Sequence, residues 1–224
     1  MNYQLDRYHQ PLSGDITLSS SKSESNRALI MNALSGNQLQ LKSLSDARDT
    51  QTMQRLLSKK QPVWDVIDAG TTMRFCTAYL AISGSGEIIT GSDRMKERPI
   101  KPLVDALRRL GAKIDYLAQE GFPPLRISAQ KNEPQAQKIS IPGNISSQYI
   151  SALLMIGPTL ADGISIELTG EIFSRPYIEM TLALMHHFGI GSTWKDQTIN
   201  IKPQPYKAQS YTIESDWSGA SYWY

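Results

Sequence analysis

A phrase that occurs twice constrains this chain more than any single residue does. Val104-Asp105-Ala106-Leu107-Arg108-Arg109-Leu110-Gly111-Ala112-Lys113-Ile114 reads as a helix closed by glycine that feeds a strand. Leu182-Ala183-Leu184-Met185-His186-His187-Phe188-Gly189-Ile190 repeats it. Each copy is followed by a turn and a second strand, ending in Arg126-Ile127-Ser128 and Asn200-Ile201-Lys202. A repeat of this size predicts supersecondary units, each of two helices and several strands. Asp49–Ser58 with Pro62-Val63-Trp64 reads as a third, weaker copy. Apolar spacing predicts helices over Ser23–Leu34, Asp49–Ser58, Thr71–Ala81, Lys101–Leu110, Ser147–Gly157 and Tyr177–Phe188. Strands are expected over Asp15–Leu18, Gln38–Lys42, Glu87–Thr90, Lys113–Leu117, Leu125–Ser128, Lys138–Ile141, Ser165–Leu168, Thr198–Ile201 and Tyr211–Ile213, with a polar surface loop at Gln130–Gln137.

The starts of these helices are rich in hydroxyl and basic groups. Ser21-Lys22-Ser23-Glu24-Ser25-Asn26-Arg27 opens the first. A helix N-terminus has free N–H groups and the positive end of the dipole, so it favours an anion. Ser23 and Arg27 are four apart and share a face, while Lys22 adds a mobile charge just outside. Asp68-Ala69-Gly70-Thr71-Thr72-Met73-Arg74 puts a glycine where a ligand can approach the backbone. In Arg94-Met95-Lys96-Glu97-Arg98-Pro99, proline holds Arg98 extended and so fixes its aim. Gly143-Asn144-Ile145-Ser146-Ser147-Gln148-Tyr149 and Ser174-Arg175-Pro176-Tyr177 open two more helices, with Ser146 and Ser174 as candidate caps. Singly each motif reads as a cap or a solvated charge run; repeated, they point to a multiply anionic, hydroxylated small ligand.

Bulk properties narrow the classes. At 224 residues the chain can bury a sizeable core, and a net charge of +2 offers no general case for nucleic acid or an acidic membrane surface. The lone Cys76 excludes an internal disulfide, and its helical position predicts a buried thiol. No apolar run approaches membrane-span length and Met1–Gln10 is too polar for a signal peptide, so the cytoplasm is the default expectation. His9, His186 and His187 lack metal-ligand spacing, and no metal or cofactor is expected. Asp216-Trp217-Ser218-Gly219-Ala220-Ser221-Tyr222-Trp223-Tyr224 reads as a helix being started, which suggests the N-terminal portion of a longer protein.

Taken in order, Ser21-Lys22-Ser23 with Ser25-Asn26-Arg27, Ala69-Gly70-Thr71, Arg94–Ile100, Ser146-Ser147-Gln148 and Ser174–Ile178 resemble the N-terminal half of the 5-enolpyruvylshikimate-3-phosphate synthase family. The resemblance runs from about Gly14 to Tyr222, and five ordered motifs make it specific. It implies an α/β (α+β) protein whose domains are each built from three βαβαββ units around a pseudo-threefold axis. Residues 1–20 would belong to a second domain, 21–209 would form the complete substrate-binding domain, and 210–224 would begin the return crossover. The implied reaction transfers an enolpyruvyl group from phosphoenolpyruvate to the 5-hydroxyl of shikimate 3-phosphate. The acid–base residues are expected in the other half, so this chain alone is expected to be inactive. By resemblance, Lys22, Ser23, Arg27, Ser146, Ser147, Gln148, Ser174 and Tyr177 contact shikimate 3-phosphate. Lys22, Gly70, Arg98 and Gln148 contact phosphoenolpyruvate, and Asp49 and Asp216 support. The full-length protein is expected to be a monomer that binds neither nucleic acid nor membrane.

Two residues depart from the family pattern: Asp68 stands for asparagine and Phe75 for proline. Asp68 would weaken an anion site unless a cation such as Arg74 pairs with it. Phe75 would tilt the helix carrying Gly70 and change sensitivity to glyphosate. Equal inhibition constants for the full-length enzyme with Phe75 and with Phe75→Pro would remove that idea. The alternative enzyme reading is the UDP-N-acetylglucosamine enolpyruvyl transferase, which shares the fold. That family commonly places a cysteine in the loop where Gly91–Arg98 stands, and this loop has none. A non-catalytic module binding phosphorylated small molecules or RNA ends is a third reading; the weak basic balance argues against nucleic acid.

Overall fold

The computed structural model describes residues 4, 13–129 and 138–223. Met1–Gln10, apart from Gln4, and Gln130–Gln137 therefore lie outside the described residues. Ser21 caps α1 (Lys22–Leu34) by accepting the Glu24 N–H at 3.3 Å, and the helix ends where Gly36 and Asn37 turn to positive φ. A short strand β1 (Gln40–Lys42) leads to α2 (Arg48–Leu57). Then come β2 (Val63–Asp65), α3 (Gly70–Ser83), β3 (Ser85–Thr90), the single turn α4 (Asp93–Lys96), α5 (Lys101–Arg109), β4 (Lys113–Tyr116) and β5 (Leu125–Ser128). The pattern recurs in β6 (Lys138–Pro142), α6 (Ser147–Ile156), β7 (Ile164–Thr169), α7 (Arg175–His187), β8 (Ser192–Lys195) and β9 (Thr198–Ile201). A last strand β10 (Ser210–Thr212) and α8 (Trp217–Ala220) follow.

Two stretches thus form the same βαβαββ unit. Their sheets run β2-β3-β5-β4 and β6-β7-β9-β8, each with one parallel pair joined through a helix and one antiparallel hairpin. The repeated phrase has a local cause. Gly111 and Gly189 have φ of 94° and 83°, and both close a Schellman pair. Gly111 N–H reaches Arg108 O at 3.0 Å and Ala112 N–H reaches Leu107 O at 3.0 Å; Gly189 and Ile190 reach His186 O at 2.9 Å and Met185 O at 3.0 Å.

The third unit is shortened. β10, from the far end of the chain, pairs in parallel with β1, and α1 and α2 complete a unit with no hairpin. Val63–Asp65 belongs to the next unit rather than to a third copy of the phrase, because its register is with β3. Asp15–Leu18 forms no strand; only Ser20 bridges Ser215. β2 and β8 escaped the list of strands because a three-residue strand with one buried side chain and a polar, exposed strand show no clear alternation.

The pseudo-threefold is visible in the helices. α1, α3 and α6 touch one another at the centre, and α2, α5 and α7 each fill the groove between a pair of them: α2 between α1 and α3, α5 between α3 and α6, α7 between α6 and α1. Position dictates composition. α6 is buried from Ser147 to Ile156 except at Gln148, whereas α5 buries only Leu103, Val104, Ala106 and Leu107.

Candidate functional site

The helix starts meet on one face of this bundle. Thr72 Oγ1 on α3 donates to Asp49 O in the first turn of α2 at 3.1 Å, and Asp49 Oδ2 lies 4.0 Å from Lys22 Nζ at the start of α1. Gln148 Nε2 on α6 donates to Thr71 Oγ1 on α3 at 3.0 Å. Tyr149 Oη donates to Pro99 O just ahead of α5 at 2.6 Å, and Arg27 Nη2 reaches Tyr177 O on α7 at 3.4 Å. Six sets of N-terminal amides therefore share one surface, with their dipoles adding positive potential there.

Arg27 is the deepest charge on this face, at 2% exposure. Its Nε donates to Thr181 Oγ1 at 2.7 Å, Nη1 to Ser23 O at 2.9 Å, and Nη2 to Ser151 Oγ at 3.1 Å as well as to Tyr177 O. Of five N–H groups, these contacts leave one on Nη1. No carboxylate pairs with the guanidinium among the described residues, and burial pushes its pKa down to about 10, the Tyr177 hydroxyl acting weakly the other way. The rings of Phe75 and Tyr177 lie 5.4 and 5.8 Å from it.

A second cationic cluster surrounds the start of α3. A Cβ at Gly70 would overlap the Arg98 guanidinium, so glycine there admits the close approach of a cation to the helix start. Arg74, 5% exposed, donates to Gly70 O at 3.0 Å and Pro99 O at 3.2 Å over the Tyr149 ring, and burial lowers its pKa. It ties together the two backbones that bring Gly70 and Arg98 into contact. Asp68 pairs with Arg48 at 3.5 Å and not with Arg74, whose fork is occupied by the two carbonyls. Asp68, Arg94, Met95 and Arg98 line a depression of about 390 Å³. α3 runs unbroken through Phe75.

The structure gathers the expected site residues into two neighbouring groups. Lys22, Ser23 and Tyr177 line a cavity of about 520 Å³ with Asp216 and Trp217, and Arg27 lies beneath it against Tyr177 and Ser23. Gly70, Arg98 and Gln148 cluster at the α3 start. Asp49 stands between them, its carboxylate toward Lys22 and its carbonyl toward Thr72. Ser146 caps α6, accepting the Gln148 N–H at 3.4 Å, and the Ser147 hydroxyl makes no hydrogen bond among the described residues. Ser174 occupies the N-cap position of α7 with φ 53° but makes no capping bond, contrary to the cap reading. Arg175, in the same motif, is drawn away to Glu179 at 2.8 Å and the Trp194 ring at 4.4 Å. Asp216 caps α8 through the Ser218 and Gly219 N–H groups.

Other groups are quiet. Cys76 is buried and its thiol is pushed well up by burial. His187 packs edge-on to Phe188 and Tyr211; His9 lies outside the described residues. Among the described residues no group of three or more His, Cys, Asp or Glu could hold a metal, and no helix is long and apolar enough to cross a membrane. Ser151 and Thr181 escaped the motif reading; Arg74 entered it only as a candidate partner for Asp68, and Tyr149 with no role. The available signal was spacing: Ser151 and Thr181 are polar residues in apolar helices, four after Ser147 and Tyr177.

A protein-family model described as EPSP synthase (3-phosphoshikimate 1-carboxyvinyltransferase) matches residues 7–61 and 58–224. A 3-phosphoshikimate 1-carboxyvinyltransferase of Bacteroides fragilis (strain YCH46) is 53% identical over 225 residues, covering 100% of this chain and 54% of its own length. One from Vibrio cholerae serotype O1 (strain M66-2) is 39% identical over 246 residues, covering 94% and 56%. The chain thus spans about half the length of these relatives. A 2.37 Å structure of EPSP synthase from Acinetobacter baumannii superimposes with a TM-score of 0.79 at 17% identity, over 93% of this chain and 51% of that one. The enolpyruvyl transferase NikO from Streptomyces tendae gives 0.66 at 12% identity, over 95% and 54%. At such identities these two structures speak for the fold.

Proposed function

Because the chain belongs to the EPSP synthase (3-phosphoshikimate 1-carboxyvinyltransferase) family, we propose that its helix-start face grips shikimate 3-phosphate and phosphoenolpyruvate for enolpyruvyl transfer. The observation that carries this reading is a buried guanidinium, Arg27, with no carboxylate partner among the described residues, opening onto the same face as the Gly70–Arg98 pair. In this reading Arg27 and Ser23 take the shikimate carboxylate and ring. Ser146, Ser147 and Ser174 take the 3-phosphate, with Gln148 and Tyr177 along the ring. Arg98 and the Gly70 backbone take phosphoenolpyruvate, and Lys22 contacts both ligands.

The 5-hydroxyl of shikimate 3-phosphate gives up its proton to a base as its oxygen bonds to C2 of phosphoenolpyruvate, and an acid delivers a proton to the methylene carbon. The tetrahedral adduct then loses phosphate and one proton from the new methyl, restoring the enol double bond. This chain contributes orientation of the two anions and electrostatic compensation of their charge. The acid–base groups are assigned to the part of the relatives' length that the chain does not span. Residues 21–209 are assigned to the substrate lobe and 1–20 to the second one. Residues 210–224 are assigned to the return crossover and the start of the second lobe. A monomeric full-length protein in the cytoplasm, without nucleic-acid or membrane partners, completes the reading.

Calorimetric titration of the chain with shikimate 3-phosphate, a uridine-diphosphate sugar and an oligonucleotide tests it. Binding is expected for the first ligand alone, weakening with salt, with no phosphate released from the two substrates above background. Preference for the nucleotide sugar would favour the related transferase, and binding of none would end the proposal.

A further inference from the structure

We infer that Phe75 is a positioning residue for the anion site: its ring holds the Arg27 guanidinium in the orientation a ligand carboxylate requires. The inference rests on the proposed function, since it assigns Arg27 a ligand. Hydrogen bonds from Arg27 to Thr181, Ser23, Ser151 and Tyr177 act along the edges of the guanidinium plane. Planar edge contacts leave the faces of a guanidinium to be held by something else, and a desolvated cation gains most from an aromatic face. Phe75 supplies one at 5.4 Å and is completely buried, fixed within α3. Tyr177 supplies another at 5.8 Å, but it is 41% exposed and lines the cavity, so it is free to respond to a ligand. The immobile ring therefore sets the plane, and the exposed ring follows.

The placement also joins the two clusters. Phe75 is five residues after Gly70 on the same helix, and its neighbour Arg74 grips the Gly70 and Pro99 carbonyls. About one and a half turns of α3 thus hold Arg98's partner on one side and Arg27's ring on the other.

Replacing Phe75 in the chain by phenylalanines of increasing ring fluorination removes the negative ring face at nearly constant shape. The dissociation constant for shikimate 3-phosphate should rise stepwise, by roughly three- to thirtyfold at full substitution. Affinity for inorganic phosphate should stay constant, and the same series at Phe188, equally buried but away from Arg27, should leave both unchanged. Phe75→Leu should match the fully fluorinated ring. If fluorination has no effect while Phe75→Leu weakens binding, the ring merely fills space and the inference is wrong. A wild-type chain that binds no shikimate 3-phosphate would overturn the functional reading instead. In that case the Arg27 Nε–H resonance still reports on the stack, by shifting or staying fixed on fluorination.

Discussion

Arg27 is held by dipoles and rings rather than by an opposing charge, which makes it a cost to the unliganded fold. Burial lowers its native pKa to about 10, so the fold disfavours the charged form, by an amount on the order of a few kcal/mol at neutral pH. Thr181 and Ser151 already bond each other at 2.8 Å, and Thr181 bonds Tyr177 O at 2.8 Å, so they keep partners if the guanidinium is removed. Arg27→Met should therefore leave the melting temperature unchanged or raise it, while weakening shikimate 3-phosphate binding by about ten- to a hundredfold. The sign with pH follows from proton counts. Above pH 10, until the unfolded arginine titrates as well, the unfolded chain holds the proton that the native chain has lost, so native stability rises with pH there. The gap between wild type and variant should close over that window in urea melts. A melting temperature several degrees lower for the variant would mean that the hydrogen bonds outweigh desolvation.

At the scale of elements, the start of α1 is fastened to the chain's far end by Glu24. This buried carboxylate accepts the Tyr211 hydroxyl on one oxygen and the Glu214 N–H at 2.7 Å on the other. Ser21 N–H to Glu214 O and Asp216 N–H to Ser19 O, both 2.8 Å, extend the seam. Glu24→Gln keeps an acceptor for the Glu214 N–H but exchanges two charge-assisted bonds for neutral ones, with the Tyr211 hydroxyl turned to accept, and should cost about 1–3 kcal/mol by urea denaturation. Burial and then the Glu24 bond hold the Tyr211 phenol well above its ordinary 10. The native state thus keeps a proton that the unfolded chain sheds above pH 10, so this contribution is present below pH 10 and lost above it. The variant should show a smaller alkaline loss; an equal loss would detach Tyr211 from the effect. The Schellman glycines, by contrast, act within a single turn, which is why the repeated phrase was readable from residue order.

The whole lobe is closed by a strand that arrives 170 positions after its partner. β10 covers β1 and completes the third, hairpinless unit. A chain ending at Gln209 should leave β1 unpaired and Glu24 without its two donors. Hydrogen exchange should then quicken selectively in α1 and β1, with a lower denaturant midpoint, while the two complete units keep their protection. Uniform loss of protection would instead make closure a condition for folding at all.

Helix ends, the twofold occurrence of the βαβαββ phrase and the clustering of hydroxyl and basic groups at helix starts were all determined by the sequence itself. Capping, positive φ and apolar periodicity operate over a few residues and leave their mark in residue order. Which groups finally meet was decided by the tertiary structure. Arg27 finds Ser151 and Thr181 across 124 and 154 positions, Asp68 takes Arg48 in place of Arg74, and β10 rather than a local hairpin completes the third unit. Such contacts depend on how three helix pairs pack around one axis, and no local spacing encodes that.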